Sequence, residues 1–448
     1  MHILGQILFV GILLIAFFIL HRRIKFITSA IRLGKDLKIE GDKKERWKNV
    51  LLIAFGQKKM FRKLIPAFFH LLIYAGFIII NFEVLEFIID GITGKHRFFA
   101  RLLLSSFPTD TGYSVLYNVL MNGFEFLTLA VILACIIFLI RRNILKIKRF
   151  SGIEMTRWPL LDANLILIFE IILMTAILSM NGADQLLQNA DSPVYIGTGT
   201  LYISSNLVIP AIKNLDVHYL IILERFCWWF HIIGILAFAI YVTYSKHLHI
   251  IMAFPNTYYA NLNPPSTMNN MEEVMHEVKM MLGLQPSDGS MPEEIARFGV
   301  KDATDLSWKS IMDAFTCTEC GRCTSVCPAN LTGKKLSPRK IIMDVRDRAE
   351  ILGTSGGKED GKSLFDHISK EEIFACTTCN ACIDICPVSI DPVNVILGLR
   401  RYIAMEESSS PVEWNMMFNN IETNFAPWKF PASDRFKWAE SLMLNKKK

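Results

Sequence analysis

Five stretches of almost uninterrupted apolar residues dominate the first 250 positions of the chain. Each is long enough to cross a bilayer core of about 30 Å, which takes about 20 residues of α-helix. The stretches cover roughly 3–20, 64–90, 114–140, 161–180 and 219–245. The pattern therefore predicts a membrane bundle of five transmembrane helices over positions 1–250. The first helix is predicted to be retained, because HRR rather than a small-residue cleavage site follows it.

Beyond position 250 the pattern becomes more polar and divides into three predicted parts. Positions 251–305 are predicted to be a linker, since PNTYYANLNPPSTMNN is followed by the helix-like MEEVMHEVKMMLGL. That amphipathic helix can pack on the next domain or lie on the membrane surface, and the pattern does not decide between them. Positions 306–405 form a predicted cysteine-rich helical domain. Positions 406–448 form an aromatic-rich tail that is predicted to bind a partner.

The distribution of charge predicts how the helices are oriented. Segment 21–63 carries fourteen Lys and Arg and segment 141–158 carries six, whereas 91–113 has three and 181–218 has only Lys213. Basic loops stay in the cytoplasm, so the N-terminus is predicted outside and everything after span five inside, in a bacterial inner membrane. The basic clusters flank spans and no nucleic-acid-binding motif accompanies them, so no nucleic-acid partner is expected.

Eight of the ten cysteines lie in two runs, CTECGRCTSVCP and CTTCNACIDICP. Both follow C-x2-C-x2-C-x3-C-P, the pattern of dicluster ferredoxins, in which the fourth cysteine of each run ligates the other cluster. A structural zinc site is the alternative, but it usually uses separated C-x2-C pairs. The pattern predicts two [4Fe-4S] clusters in a reducing compartment. Cluster one would be held by Cys317, Cys320, Cys323 and Cys386, and cluster two by Cys376, Cys379, Cys382 and Cys327.

Histidines within the apolar stretches are candidate axial ligands of a haem, because a polar group in a bilayer is costly without a partner. His70 lies in span two, His231 in span five, and His247 and His249 follow just after it. If span five continues as one helix, His231 and His249 are 18 residues, or about five turns, apart and share a face. Because His70 lies near the cytoplasmic end, the predicted inner pair is His70 with His249, and His247 is a weaker candidate.

Other haem pairings stay open at this point. His70 could pair with His231, or an outer haem could take His218, and His231 could instead be a hydrogen-bonded packing residue. Five acidic residues in or near the spans could serve a proton route, but none is assigned a catalytic role. They are Glu83, Glu86, Glu125, Glu170 and Glu224.

These residues resemble those of known families. The five spans with their histidines resemble the cytochrome b subunit of respiratory nitrate reductase. Ile80 stands where that resemblance implies a further histidine, so one haem b is expected and a second is left open. The stretch DLSWKSIMDAFTCTECGRCTSVCPANLTGKKLSPRKIIMDVRD, with EEIFACTTCNACIDICPVSI, resembles membrane-bound iron–sulfur oxidoreductases, which include electron-transfer-flavoprotein:menaquinone oxidoreductases and heterodisulfide reductase subunits.

The resemblance implies an electron-transfer subunit of a quinone-linked oxidoreductase. Electrons would pass from electron-transfer flavoprotein, or a similar cytoplasmic donor, to menaquinone through the clusters and haem. Cysteine-rich CCG repeats follow the tail in that family, and the chain stops at Lys448, so the resemblance implies a separate CCG-domain partner. One alternative is flow from quinol to a disulfide or sulfur reductase. Another is a non-catalytic membrane anchor whose clusters are structural.

Overall fold

The computed structural model describes residues 3–106, 114–150, 152–155, 157–190, 194–264, 267–284 and 297–444. This part of the chain is helical, without any β-strand. Its N-terminal half contains nine α-helices. They are α1 (Ile3–Ile31), α2 (Lys43–Asn49), α3 (Leu64–Thr93), α4 (Phe98–Ser106), α5 (Val115–Leu139), α6 (Trp158–Asn189), α7 (Tyr202–Leu207), α8 (Ile209–Ile212) and α9 (Val217–Val242).

Five of these helices, α1, α3, α5, α6 and α9, are long and apolar enough to cross a membrane. This confirms five candidate spans in the described residues. Helices α1, α3 and α6 extend beyond their predicted stretches, whereas α5 and α9 are slightly shorter than predicted. Small residues allow close packing between helices. A Cβ on Gly76 of α3 would lie 2.5 Å from Val131 of α5, and one on Gly234 of α9 would lie 2.6 Å from Leu173 of α6. Glycine is therefore required at both crossings.

Helix α1 extends well beyond its predicted end near position 20. Its N-terminal half packs Phe9 against Trp228 of α9, and its C-terminal turns place Ile27 and Ala30 in the core of the cysteine-rich domain. Lys35 then forms a short parallel bridge with residue 307. Thus α1 physically joins the membrane bundle to the cysteine-rich domain.

The C-terminal half contains ten further helices. They are α10 (His249–Tyr258), α11 (Glu272–Met281), α12 (Trp308–Thr316), α13 (Pro328–Leu331), α14 (Pro338–Thr354), α15 (Lys370–Phe374), α16 (Ala381–Ile385), α17 (Pro392–Met405), α18 (Val412–Asn424) and α19 (Lys437–Leu444). Buried residues of α12, α14 and α17 form its main apolar core. The amphipathic helix predicted in the linker is α11, and its placement on the domain or on the membrane stays a prediction.

The expectation that span five continues through His249 is wrong. Helix α9 ends at Val242, a 3-10 turn covers Lys246–Leu248, and α10 begins at His249. Ser245 is extended, and its hydroxyl contacts both Asp162 (3.0 Å) and the backbone N–H of His247 (3.2 Å). Such side-chain bonds compete with helical ones and stop the helix. His231 and His249 therefore belong to different helices.

Candidate metal and haem sites

The two cysteine runs line two adjacent cavities. The first three cysteines of one run share a cavity with the last cysteine of the other, and Cys382 borders both cavities. This crossing is the arrangement that the predicted ligand sets require, and the ligand sets themselves stay predictions. Cavity one is lined by Cys317, Cys320, Cys323 and Cys386. Cavity two is lined by Cys327, Cys376, Cys379 and Cys382.

Both runs have the same unusual backbone at matching positions. Glu319 and Thr378, each just before the second cysteine of its run, have φ of 53° and 54°. Gly321 and Asn380, each just after that cysteine, have φ of 67° and 59°. Glycine and asparagine tolerate this left-handed conformation best, and it turns the chain tightly around each cavity. The sequence repeat is therefore also a structural repeat.

The cavities suit thiolate ligands of a metal cluster. Burial raises the pKa of the Cys317 thiol to about 12 and that of Cys386 to about 11, so without a metal these groups are neutral. Backbone N–H groups already point at two sulfurs, from Thr378 to Cys376 (3.4 Å) and from Ile390 to Cys386 (3.3 Å). N–H···S bonds of this kind tune cluster potentials.

The spacing of the thiols also bears on the zinc alternative. Within the described ranges, no three His, Cys, Asp or Glu side chains converge closely enough to bind one metal ion. A four-iron cluster separates its ligands around a cage, whereas zinc draws four ligands to one point. The two alternatives therefore differ in the ligand spacing that each requires.

At the end of the bundle beside the cysteine-rich domain, three histidines lie close together. The rings of His247 and His249 are 5.7 Å apart, and both interact electrostatically with His70. Burial lowers the pKa of His247 and His249, which keeps these imidazoles neutral. The structure thus places His70 and His249 near each other and brings in His247 as well.

These histidines are held in the form that binds iron. The Nδ1 atom of His70 lies 3.1 Å from Oε1 of Gln57, and Nδ1 of His249 lies 3.0 Å from the carbonyl oxygen of Lys246. A ring that donates Nδ1–H to such an acceptor leaves a lone pair on Nε2 for a metal. The two side chains therefore fit axial ligation of a haem.

His231 occupies a separate position deeper in the bundle. It is fully buried, its Nδ1 lies 3.1 Å from the carbonyl oxygen of Leu173, and its ring packs on Phe87. Its Nε2 has no hydrogen-bond partner within the described chain. His218 is exposed at the start of α9. His231 therefore has a free ligand atom, and its ring contact on α3 is Phe87 rather than a histidine.

Loop 57–63, between α2 and α3, joins the histidines to the cysteine cavities. Gln57 holds His70, and the carbonyl groups of Lys59 and Met60 accept hydrogen bonds from buried Arg322 of the first cysteine run. Arg62 forms an ion pair with Asp384 of the second run at 2.6 Å. The sequence interpretation did not identify Gln57 or Arg322. The sequence feature that could have indicated a role for Arg322 is its position, as a cation, within a cysteine run.

The opposite end of the bundle contains a buried ionic cluster around Arg97. Its guanidinium group lies 3.1 Å from Asp184, 3.5 Å from Glu83 and 2.6 Å from Asn181 Oδ1. The Nε2 atom of His96 lies 3.0 Å from Asp184, and its side chain is 8% exposed. Neither His96 nor Arg97 was identified from the sequence, because short loops carry no periodic signal.

Comparison with known proteins identifies the cysteine-rich region. Residues 316–390 match the family described as 4Fe-4S dicluster domain, which confirms the prediction of an iron–sulfur domain. The number of clusters stays a prediction, as does the resemblance of the spans to a nitrate reductase subunit. No solved structure matches the chain.

Curated relatives are similar over different shares of the chain. The probable iron–sulfur-binding oxidoreductase FadF of Bacillus subtilis is 24% identical over 98% of this chain and 61% of its own length. The EtfAB:quinone oxidoreductase of Syntrophomonas wolfei is 27% identical over 51% of this chain and 33% of its own length. A probable membrane-anchored ferredoxin of Chromohalobacter salexigens is 29% identical over 33% of this chain and 25% of its own length.

Heterodisulfide reductase subunits of Methanosarcina mazei match over shorter stretches. The chain is thus homologous to iron–sulfur oxidoreductases and their electron-transfer subunits, as the resemblance implied. It spans less than two thirds of the length of the first three relatives.

Proposed function

We propose that the chain transfers electrons between a cytoplasmic donor and menaquinone, through two [4Fe-4S] clusters and haem b. The observation that carries the proposal is loop 57–63, which contacts His70 and both cysteine runs. One loop thus connects the candidate haem ligand with both cysteine runs. A structural anchor would not need its cysteine cavities fixed against buried imidazoles.

The order of the centres follows from their surroundings. Arg322 lies between the cysteines of cavity one and also interacts electrostatically with His70, so cavity one is the membrane-side site. Cavity two includes Cys379, whose side chain is exposed to solvent. The donor therefore docks over cavity two. When bound, the clusters and haem supply one-electron carriers along this line.

The ligands are assigned from the cavities and from the ring hydrogen bonds. His70 and His249 are the axial ligands of the haem, each with Nε2 left available, and His247 is the substitute candidate. His231 would serve a second haem. Cluster one takes Cys317, Cys320, Cys323 and Cys386, and cluster two takes Cys376, Cys379, Cys382 and Cys327.

The partners are proposed from the relatives. The name EtfAB:quinone oxidoreductase supports electron-transfer flavoprotein as the donor and a quinone as the acceptor. A separate CCG-domain subunit passes the electrons on, with the aromatic tail 406–448 as its docking segment. The chain lies in the bacterial inner membrane, with its N-terminus outside and the iron–sulfur domain in the cytoplasm.

Flow in the opposite direction is the second candidate. The similarity to heterodisulfide reductase subunits favours it, because those proteins are named for reducing a disulfide. In that case quinol would supply the electrons and a cytoplasmic thiol enzyme would receive them.

The experiment uses the chain purified anaerobically in detergent. Iron, acid-labile sulfide and haem are counted, and the reduced protein is then mixed with a menaquinone analogue. Reoxidation of both iron–sulfur and haem signals is expected. Protein that contains iron but does not react with either the quinone analogue or its quinol would be a structural anchor. Reaction with quinol alone would favour the opposite direction.

A further inference from the structure

Cavity one is surrounded by an excess of positive charge. Arg149 and Lys63 lie close enough to Cys320 to interact with it electrostatically, and Lys59 lies similarly close to Cys386. Arg322 belongs to the cavity lining itself. None of these four cations forms an ion pair within the described residues.

Hydrogen bonds show that these charges are held in place without being neutralised. Arg322 is only 2% exposed and donates to two backbone carbonyl groups. Lys59 Nζ donates to the carbonyl oxygen of Ile383 and to the hydroxyl of Ser389, at 3.5 and 3.4 Å, and the carboxylate of Asp384 near it is already paired with Arg62. The Nε atom of Arg149 is buried without a partner in the described chain. The buried charge of Arg322 is poorly screened by water, and the half-buried charges are screened less than exposed ones.

Other cations near cavity one are compensated. Arg339 lines the cavity but pairs with Glu154 at 2.7 Å. Lys246 and Arg346 both pair with Glu319, at 2.9 and 2.8 Å. The uncompensated charge therefore comes from Lys59, Lys63, Arg149 and Arg322.

Cavity two has no comparable excess. Arg400 lies near Cys376 and donates to the carbonyl groups of Cys376 and Ile373. Asp391 interacts with Cys382 and offsets that single positive charge. The exposure of Cys379 lets water stabilise charge at this site too, but it affects one thiol of four.

We infer that the cluster in cavity one has the higher reduction potential of the two, because four uncompensated cations stabilise its reduced state. Reduction adds one electron to a cluster, so nearby positive charge favours it and raises the potential. The inference rests on the proposed function, since it needs both clusters. It also predicts the direction of electron transfer between the clusters. An electron that enters at cavity two moves to the cluster of higher potential in cavity one, on the membrane side.

The test is an anaerobic redox titration of the full chain, followed by electron paramagnetic resonance. Arg149→Gln removes a permanent charge beside cavity one, and Arg400→Gln is the matched change beside cavity two. We expect Arg149→Gln to lower only the higher of the two potentials and Arg400→Gln to lower only the lower one. The opposite assignment would overturn the inference.

The titration also distinguishes failure of the inference from failure of the proposed function. If Arg149→Gln loses iron, Lys63→Gln replaces it, because this side chain is half-buried on loop 57–63 and interacts with Cys320 through its charge. If the unmodified protein shows no cluster signal and no iron, the proposed function fails together with the inference. Two clusters with the reverse order would refute the inference alone.

Discussion

The two ends of the membrane bundle both bury polar groups, but they use them differently. At the end beside the cysteine-rich domain, His70 and His249 each donate Nδ1–H to an oxygen and keep Nε2 available. At the opposite end, Asp90 accepts from the backbone N–H groups of Arg97 and Phe98, at the start of α4. The carboxylates at the opposite end satisfy helix ends, whereas the imidazoles keep a lone pair for a ligand.

Glu125 extends the same contrast. Its carboxylate accepts from the backbone N–H groups of Ile203 and Ser204 and thereby caps α7. An ionisable residue inside a membrane is often functional. Here the difference lies in the groups that are bound: imidazoles held by oxygen acceptors at the candidate redox end, and carboxylates that accept from helix N–H groups at the structural end.

The largest effect should come from removing His70, a candidate axial ligand of the haem. His70→Ala leaves the proposed haem with a single axial histidine, so we expect loss of this haem from the purified protein. His231→Ala is the control, because that ring lies away from His70 and His249, and it should retain this haem. The reduced-minus-oxidised absorption spectrum measures both. Retention in the first variant and loss in the second would show that the pairing is wrong.

The next largest effect is expected at the end of the bundle that contains Arg97. Arg97→Gln leaves Glu83, Glu86 and Asp184 buried without their shared cation, and breaking a buried pair costs about 3–5 kcal/mol. We expect a clear fall in the thermal unfolding midpoint in detergent. The haem and cluster spectra at low temperature should be unchanged. Altered spectra with unchanged stability would give the ionic cluster around Arg97 a redox role instead.

A smaller effect is expected from replacing Gln57, the hydrogen-bond acceptor that orients His70. Gln57→Leu removes the acceptor of His70 Nδ1–H, and loss of such a partner typically weakens metal affinity about 10–100-fold. Gln57→Glu retains an acceptor and should restore most of the binding. Haem titration of the purified variants measures this. Equal affinity in the wild type and both variants would exclude Gln57 as a positioning residue.

The smallest effect is expected at the contact between domains. Arg62 and Asp384 form an ion pair with side chains 43% and 66% exposed, so Arg62→Ala should cost no more than about 1 kcal/mol. The thermal midpoint should change little and both cofactor spectra should persist. Loss of the iron–sulfur signal would mean that this pair is essential for docking.

The sequence predicted the features that depend on local pattern. Five apolar stretches correspond to five long helices, and the repeated cysteine spacing corresponds to two matching loops around two cavities. The crossing of Cys386 and Cys327 between the cavities also agrees with that spacing. These features need only helix length, hydropathy and the geometry of short loops.

Features that depend on tertiary contacts were not predictable. The end of α9 requires Ser245 to meet Asp162, which lies 83 residues away in the chain. The support of His70 by Gln57 depends on a loop with positive φ at Gln57 itself. His96 and Arg97 are buried only because carboxylates from α3 and α6 surround them.

The central claim is that clusters bound in the cysteine cavities transfer electrons to a haem held by His70 and His249. The most direct measurement is the rate of haem reduction by a reduced flavoprotein too large to enter the membrane bundle, in wild type and in Cys379→Ser. The account predicts fast reduction in the wild type and at least a tenfold slower rate, about 1.4 kcal/mol in the barrier, in the variant. Equal rates in both proteins would contradict it.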